Sequence, residues 1–115
     1  MALDINREEL LENFMGDEEL LFESIDLFLE RAETRYQTLV AAVRDRDAVK
    51  IMEEGHTIKG MVGIFSTGSP FEAAKKLEFM GRNKEMDGLD EALSDFKDQL
   101  DELTGYLTDW KDEVM

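Results

Sequence analysis

Apolar residues recur every three or four positions along most of this chain, the spacing that places them on one face of an α-helix. The clearest stripe is Leu21, Ile25, Phe28, Leu29, Ala32, Tyr36, Leu39, Val40 and Val43, which opens behind Asp17 and closes at the polar run Arg44–Asp47. Asp47 then reads as the N-cap of a following helix that runs to roughly Phe65, where Ser66-Thr67-Gly68-Ser69 interrupts the pattern. Pro70 suits a first helical turn, where its missing N–H is no loss, so the next helix continues to about Arg82 with Phe71, Ala74 and Leu77 inward. After the turn Asn83–Gly88, Leu89, Leu93, Phe96, Leu100, Leu103, Leu107 and Trp110 form a heptad-like stripe with Ala92 and Tyr106 at its edges. A shorter segment, from about Asn6 to Phe14, precedes all of these and stops at Met15-Gly16.

No alternating apolar pattern bounded by hairpin turns occurs, so strands are not expected. Short connections between long helices favour antiparallel neighbours. The expected architecture is all-α: an antiparallel up-down-up-down four-helix bundle, with the short first helix capping one end. Residues 1–115, 43% of them hydrophobic, are expected to fold as one domain with a core of their own.

Charge narrows the partners. Thirteen basic against 28 acidic residues give a net charge of −15, which repels phosphate backbones and anionic bilayers, so neither nucleic acid nor membrane is expected. Cysteine is absent, which excludes disulfides, thiolate metal sites and thiol nucleophiles. The opening MALDINREELLENF has no basic leader followed by an apolar run, and no stretch of about 18 apolar residues exists. A cytoplasmic location is the expectation.

Against this ordinary background one segment stands apart. Glu53–Pro70 contains the only histidine, His56, with Gly55, Gly60 and Gly63 around it in what otherwise reads as helix. Each interior glycine costs roughly 0.8–1 kcal/mol relative to alanine. Ile51, Ile58, Val62 and Phe65 fall on the core side of that helix, bordered by Met61. Met52, His56, Lys59, Gly60 and Gly63, with Val49 beside them, fall on the other, so His56 should face solvent and the glycines should clear space around it. A nucleophilic imidazole needs such room. Lys59 can set a cation near an anion carried by His56. The competing readings are a plain surface histidine and an ordinary solvated lysine.

His56-Thr57-Ile58-Lys59-Gly60, with Gly63, resembles the H-x-x-K-G motif of histidine phosphotransfer (HPt) domains. The likeness extends to Gly16–Leu21 (GDEELL), to a small residue before the histidine, and to Lys75–Arg82 (KKLEFMGR). It implies a four-helix bundle that relays a phosphoryl group between aspartates of response-regulator receiver domains in two-component signalling. Such a protein is an intermediate and not an enzyme. The receiver brings magnesium, and no cofactor or metal is expected here. By the same likeness His56 accepts phosphate on Nε2, Lys59 assists electrostatically, and Glu78 orients the imidazole, a solvated helix residue being the competing reading of Glu78. Partners would be receiver domains and a hybrid sensor histidine kinase, the protein itself being monomeric. The docking patch would comprise Val49, Met52, Gly55, Gly60, Gly63 and Arg82. Ser66 and Ile64 depart from the family's frequent glycine and asparagine, affecting the end of the third helix and partner choice.

Other readings fare worse. Glu53 and His56 match half of a carboxylate-bridged di-iron motif, which needs a second histidine. Asn83–Gly88 echoes a calcium loop, yet Ser94 stands where the closing glutamate belongs. The remaining alternative is a non-catalytic acidic helical adaptor that docks receivers or other partners without phosphorylation.

Overall fold

The computed structural model describes residues 3–114. It contains five helices, α1 (Arg7–Asn13), α2 (Glu18–Arg44), α3 (Ala48–Gly63), α4 (Ser69–Arg82) and α5 (Leu89–Val114), and no strand among the described residues. Side-chain caps fix three of the starts. Asn6 accepts from the Glu9 amide at 3.1 Å, Asp17 from Leu20 at 3.0 Å and Asp47 from Lys50 at 3.2 Å, each satisfying an orphan donor of a first turn. Helix α3 ends slightly before the expected Phe65, because the amides of Phe65 and Ser66 both turn back onto the Val62 carbonyl.

The four long helices pack in a ring, α2 on α3, α3 on α4, α4 on α5 and α5 on α2. Along the α2–α5 and α2–α3 pairs the contacts run in opposite senses. Phe22 near the start of α2 meets Trp110 near the end of α5, whereas Tyr36 meets Phe96 further along. On the other side Phe28 meets Phe65, and Arg35 pairs with Glu54. This is the antiparallel arrangement that the short connections imply.

The core follows the sequence stripes closely, from Leu21 and Ile25 on α2 through Ile51, Ile58 and Val62 on α3 to Leu77, Phe96, Leu103 and Leu107. One pair is exchanged. Ala92, read as an edge position, is buried and Leu93 only half-buried, while Leu89 begins the α5 stripe as expected.

Both ends are tied. At one, Arg46 takes a left-handed conformation (φ 53°), an unfavourable backbone for a residue with a Cβ. Its guanidinium offsets that cost by donating to the Val43 carbonyl and, bidentately at 2.9 and 3.0 Å, to Asp90 at the head of α5. At the other, α1 is fastened to the end of α5. Arg7 donates to the Tyr106 hydroxyl at 2.7 Å and to Glu113 at 2.9 Å while stacking 4.7 Å from the Trp110 ring. The buried Ser66 hydroxyl donates to the Leu3 carbonyl and accepts from the Gly68 amide, fastening the N-terminal segment to the α3–α4 turn.

Candidate functional site

Two glycines decide how closely α3 and α4 approach. A Cβ on Gly55 would stand 2.8 Å from the Glu78 amide nitrogen and 2.9 Å from its Cα. One on Gly81 would stand 2.5 Å from the Met52 nitrogen and 2.8 Å from the Ala48 carbonyl oxygen. No side chain fits at either position without moving a helix. The expectation that Gly55 lines a docking patch is therefore corrected: it is buried, and it is the residue that lets α4 press against α3. Gly81, unremarked in the sequence, performs the same service from the opposite helix.

That approach delivers Glu78 to His56. The Glu78 side chain is 6% exposed and the His56 ring 70% exposed, with Nδ1 3.1 Å from Oε2. Lys59 Nζ lies 2.6 Å from Oε1, and Arg82 Nη2 lies 3.0 Å from Oε2. Burial by itself would push the Glu78 carboxyl upward, but the hydrogen bonds from Lys59 and His56, with their charges, outweigh it and hold the group below its ordinary range. Glu78 is thus an ionised acceptor. It has no proton to give, so the hydrogen between it and His56 belongs to Nδ1, and the Nε2 lone pair points outward.

Lys59 stands differently from its expected place. Its ammonium is engaged with Glu78 and only 23% of the side chain is exposed, instead of lying free beside the imidazole. The pull of a buried carboxylate explains this. Lys59, Arg82 and ionised Glu78 still leave one positive charge in excess, set within a protein of net charge −15.

The remaining glycines divide. Gly60, one turn beyond His56, has nothing within 4 Å of a Cβ, so the space beside it is open. Gly63 differs: a Cβ there would lie 3.1 Å from the Phe71 ring, so packing against α4 accounts for it. Val49 is exposed and Met52 half-buried against α4. A larger apolar surface flanks the histidine on its other side. A groove of about 340 Å³ between α2 and α3 is lined by Phe14, Leu27, Phe28, Met61, Ile64 and Phe65, with Thr57 at its edge beside His56 and Arg31 and Arg35 along its wall. Sequence periodicity could not find it, because its two walls come from different helices.

With this geometry in view, comparison with known proteins is specific. The family model described as Hpt domain matches residues 23–106, from the first turns of α2 well into α5. The structure is similar to histidine-containing phosphotransfer protein B (HptB) from Pseudomonas aeruginosa PAO1, with a TM-score of 0.87, 18% identity and 98% of each chain covered. It is also similar to the HPT domain of the Hpt sensor hybrid histidine kinase from Shewanella, with a TM-score of 0.76, 12% identity, and 95% of this chain and 94% of that one covered. At such identities these two likenesses show the fold. No curated protein matches. The chain belongs to the Hpt domain family, and its function is histidine phosphotransfer in two-component phosphorelays. No described helix is long and apolar enough to cross a membrane.

Proposed function

We propose that His56 is the phosphoacceptor of this relay protein. The observation that carries the proposal is the Glu78 carboxylate at Nδ1 of an exposed imidazole, which leaves Nε2 as the only ring nitrogen able to attack. In the forward step the Nε2 lone pair attacks the phosphorus of a receiver's aspartyl phosphate. The P–N bond forms as the P–O bond to the aspartate breaks, and the electron pair leaves with the aspartate carboxylate. The ring becomes a phosphoimidazolium that keeps its Nδ1 proton, and Glu78 faces that new positive charge. Transfer to a second receiver runs the same exchange backwards. The receiver supplies magnesium and most of the catalytic groups, so this chain acts as an intermediate in place of an enzyme.

Lys59 and Glu78 are assigned supporting roles. Lys59 holds Oε1, fixing the carboxylate, and contributes to the local positive excess that receives an incoming phosphoryl anion. The receiver is proposed to sit over α3 with Gly60 beneath it, extending from Val49 and Met52 on one side to the α2–α3 groove on the other. That groove adds apolar area and the Arg31 and Arg35 guanidiniums next to the reactive centre. A hybrid sensor histidine kinase is the proposed donor, acting on residues 1–115 as one monomeric cytoplasmic unit.

The test is incubation with labelled phospho-receiver domains. Label should move to the chain as an acid-labile, base-stable adduct and should be absent from His56→Ala. Transfer that persists without His56 would remove its assignment, and docking without any transfer would favour an adaptor role.

A further inference from the structure

Three donors converge on the two oxygens of Glu78, and they are not distributed evenly. Lys59 takes Oε1 alone, whereas Arg82 and His56 Nδ1 share Oε2 at 3.0 and 3.1 Å. Arg82 lies one helical turn beyond Glu78 on α4, so its guanidinium folds back over the carboxylate while 54% of its side chain stays exposed. With Lys59 as sole anchor, a carboxylate can still pivot about that bond. A cation on each oxygen fixes the plane of the group, and Oε2 is then the oxygen presented to the imidazole.

We propose that Arg82 is a positioning residue for phosphoryl transfer, acting through Glu78 Oε2 to hold His56 in the Nδ1–H tautomer with Nε2 free. This replaces the docking role that its place in the sequence suggested, and it rests on His56 being the phosphoacceptor. The lone histidine makes the test clean, since every imidazole nitrogen signal of the protein belongs to His56.

The ring nitrogen shifts of ¹⁵N-labelled parent, Arg82→Met and Arg82→Lys are measured above the titration range of the ring, alongside transfer rates at saturating phospho-receiver and receiver affinity. Arg82→Met should lower the Nδ1–H fraction and slow saturated transfer by roughly tenfold, as small displacements of a reacting group do. Receiver affinity should be unchanged, and Arg82→Lys should restore the tautomer and part of the rate. Unchanged ring shifts with weakened affinity would make Arg82 a docking contact and overturn the proposal, as would an altered tautomer with parental transfer. Failure of the underlying reading is separate: the parent would then carry its label elsewhere than on His56, whatever the ring shifts show.

Discussion

Glu78 is the residue on which the site turns, and its chemistry sets two expectations. Replacing it with glutamine leaves Lys59 and Arg82 facing a neutral amide, which should destabilise the fold by about 1–3 kcal/mol and slow transfer. The pH dependence follows from its lowered titration. A carboxyl whose folded-state pKa lies below the ordinary 4.5 stabilises the fold fully above that value. The contribution fades as the pH falls below 4.5 and is gone once it passes the lowered folded value. Thermal melts of the parent and Glu78→Gln should therefore keep a constant gap above this window and converge within it. A gap that persists into strong acid would mean that Glu78 is not held ionised by its partners. Lys59→Glu should be costly for the same reason, with a loss of about 1–3 kcal/mol in chemical denaturation, since it sets a second carboxylate against a buried one. Much of this was legible beforehand, because His56, Lys59 and Glu78 follow a recognisable pattern. Arg82, one turn beyond Glu78, was a weaker candidate for the same neighbourhood; that Lys59 pairs with Glu78 was not legible, because which carboxylate oxygen meets which cation is decided by the distance between two helices.

At the scale of the helices, the glycines around His56 divide by what stands opposite them. Gly55→Ala and Gly81→Ala each force a methyl into the backbone of the facing helix and should cost about 1–3 kcal/mol. Gly60→Ala meets nothing and should stabilise by up to about 1 kcal/mol through helix propensity. Gly60→Leu should retain much of that stability while slowing transfer, because its side chain projects beside His56. Paired melts and transfer kinetics decide the matter, and a Gly60→Leu protein that transfers at the parental rate would refute the access argument. Gly63→Ala falls between these cases, since the half-buried Phe71 ring must yield to it. Local sequence showed that glycine was being used at a cost. It could not show that Gly55 and Gly81 serve packing, because each finds its constraint on a helix more than twenty residues away.

For the whole molecule the dominant fact is the charge of −15, spread over helices whose inner faces are apolar. Self-repulsion of this kind is long-ranged, and salt relieves it. Raising sodium chloride from about 0.01 M to about 1 M shortens the screening length from about 30 Å to about 3 Å, so the melting temperature should rise across that range. A fall would show that specific pairs such as Arg46–Asp90 outweigh the repulsion. The bundle was legible at this scale because caps and stripes coincide: Asp17 and Asp47 begin helices whose apolar faces then meet. What the sequence left open are the fastenings of its ends, Arg7 on Tyr106 and Glu113 and Ser66 on Leu3, which join residues far apart in the chain without any local signature.

The central claim is that Glu78 occupies one imidazole nitrogen so that the other can take the phosphoryl group. Phosphorylating the ¹⁵N-labelled protein with a phospho-receiver and reading phosphorus–nitrogen couplings by NMR tests it most directly. The account predicts a single adduct on Nε2 of His56, with the Nδ1 proton retained and hydrogen-bonded. A phosphoryl group on Nδ1, or on any residue other than His56, would contradict it.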